Sequence, residues 1–244
     1  MKDNFSQQAK LYASFRPHYP PALYDFLFKQ VSNFDMALDC ATGNGQVATV
    51  MASKFKAVYA TDISEKQLAQ APALSNVIYK IEAAEQTAFP DTFFDLVAVA
   101  QAIHWFDFDK FYAEVKRILK AGGLFVVIGY GLISINAEID KWIAHYYWNV
   151  VGPYWDKERR YIDEAYTTIP FPFTAISSPK LFIEYSWNKE QFIGYLHTWS
   201  SLQHYIKANN KSPLTDELLI ELDEVWKDDE ILPVRFPLFV RVGR

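Results

Sequence analysis

Cysteine, clustered basic residues and long apolar runs are nearly absent from this 244-residue chain, and each absence removes a class of protein. The single cysteine, Cys40, excludes an internal disulfide and fits a reducing compartment. Lysines and arginines form no cluster and the net charge is -5, so a nucleic-acid partner is not expected. The longest apolar stretch, 124–135, falls short of the roughly 20 residues that span a bilayer. The opening Met-Lys-Asp-Asn-Phe-Ser is polar with no apolar core behind it, so no secretory leader is expected. Together these features predict a cytoplasmic protein without a membrane partner. No internal repeat or low-complexity tract is present. What the chain does hold is core-forming material, half of it apolar and 17% aromatic. That composition and length suit one large α/β domain, or one domain with a substantial insertion.

The strongest local signal lies at 37–47, Ala-Leu-Asp-Cys-Ala-Thr-Gly-Asn-Gly-Gln-Val. An apolar strand end runs into Asp39, then Gly43 and Gly45, then the helical periodicity of Val47, Val50, Met51 and Phe55. Strand, glycine bend and helix bring backbone close to a ligand at a helix N-terminus. The string Gly43-Asn44-Gly45-Gln46-Val47-Ala48 formally satisfies a dinucleotide fingerprint. Asp39, four residues before Gly43, would sit close to a pyrophosphate and instead suits a cation, such as an amino-acid ammonium group. A plain strand–helix connection with an Asx-type turn is the bland alternative.

Leu-Asp-Cys-Ala-Thr-Gly-Asn-Gly resembles the first motif of class I S-adenosylmethionine-dependent methyltransferases. The resemblance implies a doubly wound, mostly parallel, seven-stranded sheet with a C-terminal antiparallel hairpin and a helical, aromatic-rich cover. It covers nearly the whole chain as a single domain. Its parts are a lid and first helix at 1–32, a cofactor core at 33–132, a cover insertion at 133–178 and sheet-completing elements at 179–244.

Further along, the second strand (57–61) ends at Asp62, about 20 residues beyond the bend, where an acid can hold a ribose diol. Ser64-Glu65-Lys66-Gln67 reads as a capping box, so Asp62 as a mere cap is the alternative. A third strand is expected at 77–81. Glu82-Ala83-Ala84-Glu85 and Phe94-Asp95-Leu96-Val97 resemble the family's adenine-loop block, with Ala83 where an Asp is usual. The fourth strand runs into Gln101-Ala102-Ile103-His104-Trp105-Phe106, beyond the carboxyl ends of parallel strands, where ligands bind. That string is similar to the trans-aconitate methyltransferase-like group. The N-terminal Phe5, Tyr12, Arg16-Pro17 and Tyr19-Pro20 resemble the same group, in which the Tyr and Arg close over the cofactor.

The resemblance therefore implies S-adenosylmethionine as cofactor. Its binding falls to Tyr12, Arg16, Asp39, Ala41, Gly43, Gly45, Asp62, Ile63, Ala84, Glu85 and Gln101, with Arg16 suited to its carboxylate, Asp39 to its ammonium group, Asp62 to its ribose and the loop at Ala84 and Glu85 to its adenine. Trp105, Tyr146 and Trp199 are assigned to a small-molecule acceptor, His104 is the candidate base, and no metal ligand is assigned. A helix over 109–119 ends at Lys120-Ala121-Gly122-Gly123, a C-cap before the fifth strand. In the cover, Ile139, Trp142, Tyr146 and Val150 keep helical spacing up to Gly152-Pro153. A charged turn at 156–160 and a Pro/Phe-rich loop at 169–173 follow. An aromatic stripe of this kind is usually core, though some of it can line an apolar pocket. Near the C-terminus, strand 180–187, helix 189–198, a helix through Leu218, Leu219, Leu222 and Trp226, and strand 234–242 are expected. Apolar even positions and Pro237 mark the last as a half-exposed edge.

Methyl transfer is an in-line displacement served mainly by positioning and water exclusion. A carboxylate acceptor needs no base, whereas a hydroxyl or carbon acid does. Carboxyl O-methylation is the leading expectation. An NAD(P)-dependent oxidoreductase and a non-catalytic S-adenosylmethionine-binding protein are the alternatives.

Overall fold

The computed structural model describes residues 15–244; Phe5 and Tyr12 lie outside the described residues. Five parallel strands form the centre: β1 (Met36–Cys40), β2 (Ala57–Asp62), β3 (Val77–Ile81), β4 (Phe94–Ala100) and β5 (Leu119–Tyr130). Beyond β5 the sheet continues through β6 (Ala175–Ile176), β7 (Phe182–Trp187) and β8 (Leu232–Gly243). The order is β3-β2-β1-β4-β5-β8-β6, with β7 also on β8, and β8 runs antiparallel to its neighbours. The eight strands fill seven positions, because β6 and β7 occupy the same outer edge at opposite ends of β8. This is the class I methyltransferase arrangement.

Residues of β4 and β5 are buried on both faces, which explains their unbroken apolar runs. Val97, Val99, Phe125 and Val127 pack on one side, and Leu96, Ala98, Val126 and Ile128 on the other. Asp95 interrupts this run for a reason: its carboxylate accepts the Met36 amide at 2.9 Å and the Lys120 ammonium at 2.9 Å, tying three strands together.

Three local expectations change. The helix ends at Ile118 and β5 begins at once, so Gly122 (φ +74°) does not cap it. It lies in a bulge where the pairing with β4 jumps from Phe94↔Leu119 to Leu96↔Leu124. Pro237 lies in an internal strand, at the hand-over where β8 leaves β7 and begins to pair with β5. A missing N–H is tolerated there because ladder bonding changes sides. The C-terminal antiparallel strands are not joined by a tight turn: helices Lys189–Leu196, Ser200–Asn209 and Asp216–Val225 lie between them.

The cover begins with helix Ala137–His145, capped by Asn136, and widens into a π-turn, Tyr146–Val150. The expected charged turn is a 3-10 turn, Lys157–Arg159, running into helix Arg160–Asp163. Cover and C-terminal helices share an aromatic core built on Trp142, Tyr146, Trp187, Phe192, Trp199 and Trp226. No helix among the described residues is long and apolar enough to cross a membrane.

Candidate functional site

The strand order reverses between β1 and β4, and a crevice opens at the carboxyl ends there. It forms a cavity of about 930 Å³, counting the space open to solvent at its mouth. The bend after β1 makes one wall. Ala41 (φ +54°), Gly43 (φ +57°) and Gly45 (φ +83°) are all left-handed. Gly43 has open space where a Cβ would project, and a Cβ on Gly45 would come within 2.9 Å of the Tyr79 hydroxyl. The non-glycine Ala41 holds a conformation about 1–2 kcal/mol uphill, a local strain of the kind ligand clamps carry.

Asp39 closes the floor and is almost fully buried. Its Oδ2 accepts the Thr42 hydroxyl at 2.5 Å and the Ala48 amide at 2.9 Å. Its Oδ1 is buried without a partner among the described residues. Burial pushes the Asp39 carboxyl up to about 7, against the two hydrogen bonds, and the charge of Asp62 adds to the rise. An acid held this way gains from a cation beside it. Asp62, at the end of β2, accepts the Gly43 amide (2.9 Å) and the Ser64 amide (2.9 Å). It shapes the bend and also lines the cavity.

The opposite wall comes from Arg16, just before the first helix, and from β5. Arg16 Nη1 donates to the Tyr130 hydroxyl at 2.7 Å and Nη2 to the Thr198 carbonyl at 3.2 Å. At the end of β4, Gln101 is left-handed (φ +52°) and its Nε2 donates to the Tyr130 carbonyl at 3.1 Å. Arg16, Gln101 and Trp105 also border a second chamber of about 460 Å³, with His104, Trp155 and Arg159 in its wall. His104 Nδ1 lies 2.9 Å from the Tyr166 hydroxyl. Burial, helped by the charge of Arg159, pushes the imidazole down to about 3. His104 is therefore neutral and weakly basic across the physiological range.

Of the residues singled out in the sequence, Arg16, Asp39, Ala41, Gly43, Asp62, Ile63, Gln101 and Trp105 line the first cavity. Gly45 backs the bend, and His104 lies in the second chamber. Ala84 and Glu85 are not in either wall. Ala84 packs in the Phe89–Phe94 cluster, and Glu85 accepts the Asp107 amide at 3.2 Å, so both hold the loop. Tyr146 and Trp199 are not in either wall but in the aromatic core, where their flat faces fill the space between helices. Tyr12 lies outside the described residues. Sequence reasoning misses Thr42, Asn44, Gln46, Ser64, Gln67, Tyr130 and Arg159, all of which line one chamber or the other. Tyr130 is within reach of the same strand-end rule that finds Gln101. Arg159 carries no signal, because a charged turn reads as a solvated surface.

Tyr146 gives a test of its core placement. Its hydroxyl is buried with no partner among the described residues, and burial drives its pKa upward. Tyr146→Phe removes an unsatisfied group and is expected to raise stability by about 1 kcal/mol while leaving methyl-transfer kinetics unchanged. A denaturation midpoint that falls, or an altered KM, would contradict the assignment.

Fold and bend define a doubly wound α/β protein with a ligand crevice at the carboxyl ends of β1 and β4. A methyltransferase-domain family model matches residues 38–127, from β1 into β5. A candidate methyltransferase of Dictyostelium discoideum is 34% identical, over 99% of this chain and 95% of its own length. A methyltransferase of Aspergillus candidus is 26% identical over 87% of this chain and 74% of its own. The solved structure of a candidate type II methyltransferase from Anaeromyxobacter dehalogenans superposes with a TM-score of 0.86 at 36% identity. That match covers 95% of this chain and 98% of the other. The chain belongs to the class I S-adenosylmethionine-dependent methyltransferases. The oxidoreductase alternative is set aside by these matches.

Proposed function

We propose that this enzyme methylates a carboxylate oxygen of a small molecule in the cytoplasm, as a member of the trans-aconitate methyltransferase-like group. The residues of the first cavity fit S-adenosylmethionine on two observations. Asp39 Oδ1 is a buried acceptor awaiting a donor, and the bare Gly43 backbone leaves room for a ligand. In this reading Asp39 holds the amino group, Arg16 the carboxylate and Asp62 the ribose. Bound there, S-adenosylmethionine would supply an activated sulfonium methyl for transfer to an acceptor oxygen, with S-adenosylhomocysteine as the leaving group.

His104 carries the choice of acceptor. Its imidazole lines the second chamber, yet burial and Arg159 hold its basicity far below that of a useful base near neutral pH. A carboxylate needs no proton removed, whereas an alcohol does. The chamber volume of about 460 Å³ suits a small acceptor, and the net charge of -5 disfavours a polyanion such as RNA. The test is transfer of labelled methyl from S-adenosylmethionine to a series of small carboxylic acids and their matched alcohols. Label is expected in the acids alone. Label in the alcohols, or in neither series, would overturn the carboxyl reading.

A further inference from the structure

The second chamber has N–H donors that the protein leaves unused. Arg159 stacks with its guanidinium carbon 4.4 Å from the Trp155 ring centroid and 5.3 Å from that of Tyr147. Its Nε donates to the Tyr147 hydroxyl at 2.7 Å and lies 3.5 Å from Asp163 Oδ1. The Tyr147 hydroxyl in turn donates to Asp163 at 2.5 Å. Stack and tether fix the plane of the guanidinium, so little freedom is left to lose on binding. Among the described residues nothing hydrogen-bonds its two terminal nitrogens. Trp155, in the same wall, has a buried indole N–H that also lacks a partner among the described residues. A wall rich in such donors complements a group that only accepts, and a carboxylate is that group.

Charge limits how many carboxylates fit. Arg16 is tied to Tyr130 and Thr198 and faces the first cavity as well, where the proposed function gives it to the cofactor. His104 is neutral. Asp156 adds a negative charge to the wall, with one oxygen 3.8 Å from His204 Nδ1. With Arg159 already paired to Asp163 and Asp156 in the same wall, little net positive charge is left over, so a second anionic group meets repulsion. Trp105, Trp155 and Ile162 leave apolar surface for the rest of the molecule.

We propose that Arg159, aided by the Trp155 N–H, is the specificity-determining residue of the acceptor chamber, and that the acceptor is a small monocarboxylic acid with an apolar body. Pairing with one carboxylate oxygen leaves the other oxygen's lone pair free to react. The inference rests on the carboxyl-methylation reading and names its acceptor class.

The experiment is isothermal titration of the full chain, saturated with S-adenosylhomocysteine, with butyrate, hexanoate, phenylacetate, phenylacetamide and phenylsuccinate. Monocarboxylates are expected to bind, with phenylacetamide and phenylsuccinate at least tenfold weaker than phenylacetate. Arg159→Gln is expected to weaken phenylacetate at least tenfold and leave S-adenosylhomocysteine affinity within twofold. Arg159→Lys, which keeps the charge without the fork, is expected to fall between. If the Gln variant fails to fold, the Lys variant and the selectivity of the unaltered protein decide. No binding by any monocarboxylate, equal binding of the amide, tighter binding of the diacid, or indifference to Arg159 would overturn the proposal. Selective binding through Arg159 without methyl transfer to any acid would instead overturn the proposed function and leave anion recognition standing.

Discussion

Replacing Asp39 with asparagine is expected to raise the dissociation constant for S-adenosylhomocysteine at least a hundredfold at pH 8. This corresponds to roughly 3 kcal/mol, in the range for removing one partner of a buried charged pair. The same change should make the ligand-free protein more stable at that pH. Asp39 titrates at about 7 in the folded protein, above the ordinary carboxyl value of 3.8, because its charged form is desolvated. Its contribution to stability is therefore fully present below pH 4 and is lost as pH rises through 7. Three pH units at about 1.4 kcal/mol each make that loss on the order of 4 kcal/mol. Asparagine can still accept from Thr42 and Ala48 without carrying a charge. The gap in unfolding temperature between variant and parent should open from pH 4 to pH 8. Ligand binding has the opposite slope: an ammonium group favours the ionised carboxylate. Parent affinity is then expected to rise about tenfold per unit between pH 5 and 7, with a proton released to buffer, and the asparagine variant to show neither effect. Calorimetry in two buffers of different ionisation enthalpy measures both. A flat affinity profile for the parent would remove Asp39 from the cofactor site.

Trp226→Ala is expected to destabilise the protein severely without touching either chamber. Trp226 is fully buried, stands 5.5 Å from the Phe192 ring centroid, and donates its indole N–H to the Glu230 carbonyl at 3.0 Å. Removing such a ring leaves a cavity that neighbouring aromatics cannot fill, at about 3–5 kcal/mol. For a chain of this length that lowers the melting temperature by roughly 10 °C. Thermal denaturation should show the fall, while affinity for S-adenosylhomocysteine at 20 °C stays within about twofold of the parent. A shift of only a degree or two would mean that this aromatic cluster does not hold the cover to the sheet.

The first cavity was open to reading because its information is local. Asp39, Gly43 and Gly45 lie within seven residues, and Asp62 ends the next strand, so backbone geometry alone brings them to one mouth. Parallel strands with apolar runs have to be covered on both faces, and that requirement gave the layers. The second chamber was harder because it is assembled from distant segments. Arg159 borders the same chamber as Gln101, 58 positions earlier, and nothing in a Lys-Glu-Arg-Arg run announces burial against two aromatic rings. Tyr146 and Trp199 had the right chemistry for a pocket but turned inward, because the helices flanking them meet there. His104 lines the second chamber, but its basicity depends on burial and on Arg159, neither visible in the string.

By itself, then, the sequence determined the class I sheet, the bend after β1 and the two acids, Asp39 and Asp62, that line the first cavity. Periodicity and short-range turns are properties of neighbouring residues, and they survive without knowledge of the whole. Only the tertiary structure decided which aromatics are core and which are wall, how basic His104 is, and where the Arg159 guanidinium is held against two aromatic rings. Burial and electrostatic environment are sums over residues far apart in the chain, so they exist only once it has folded.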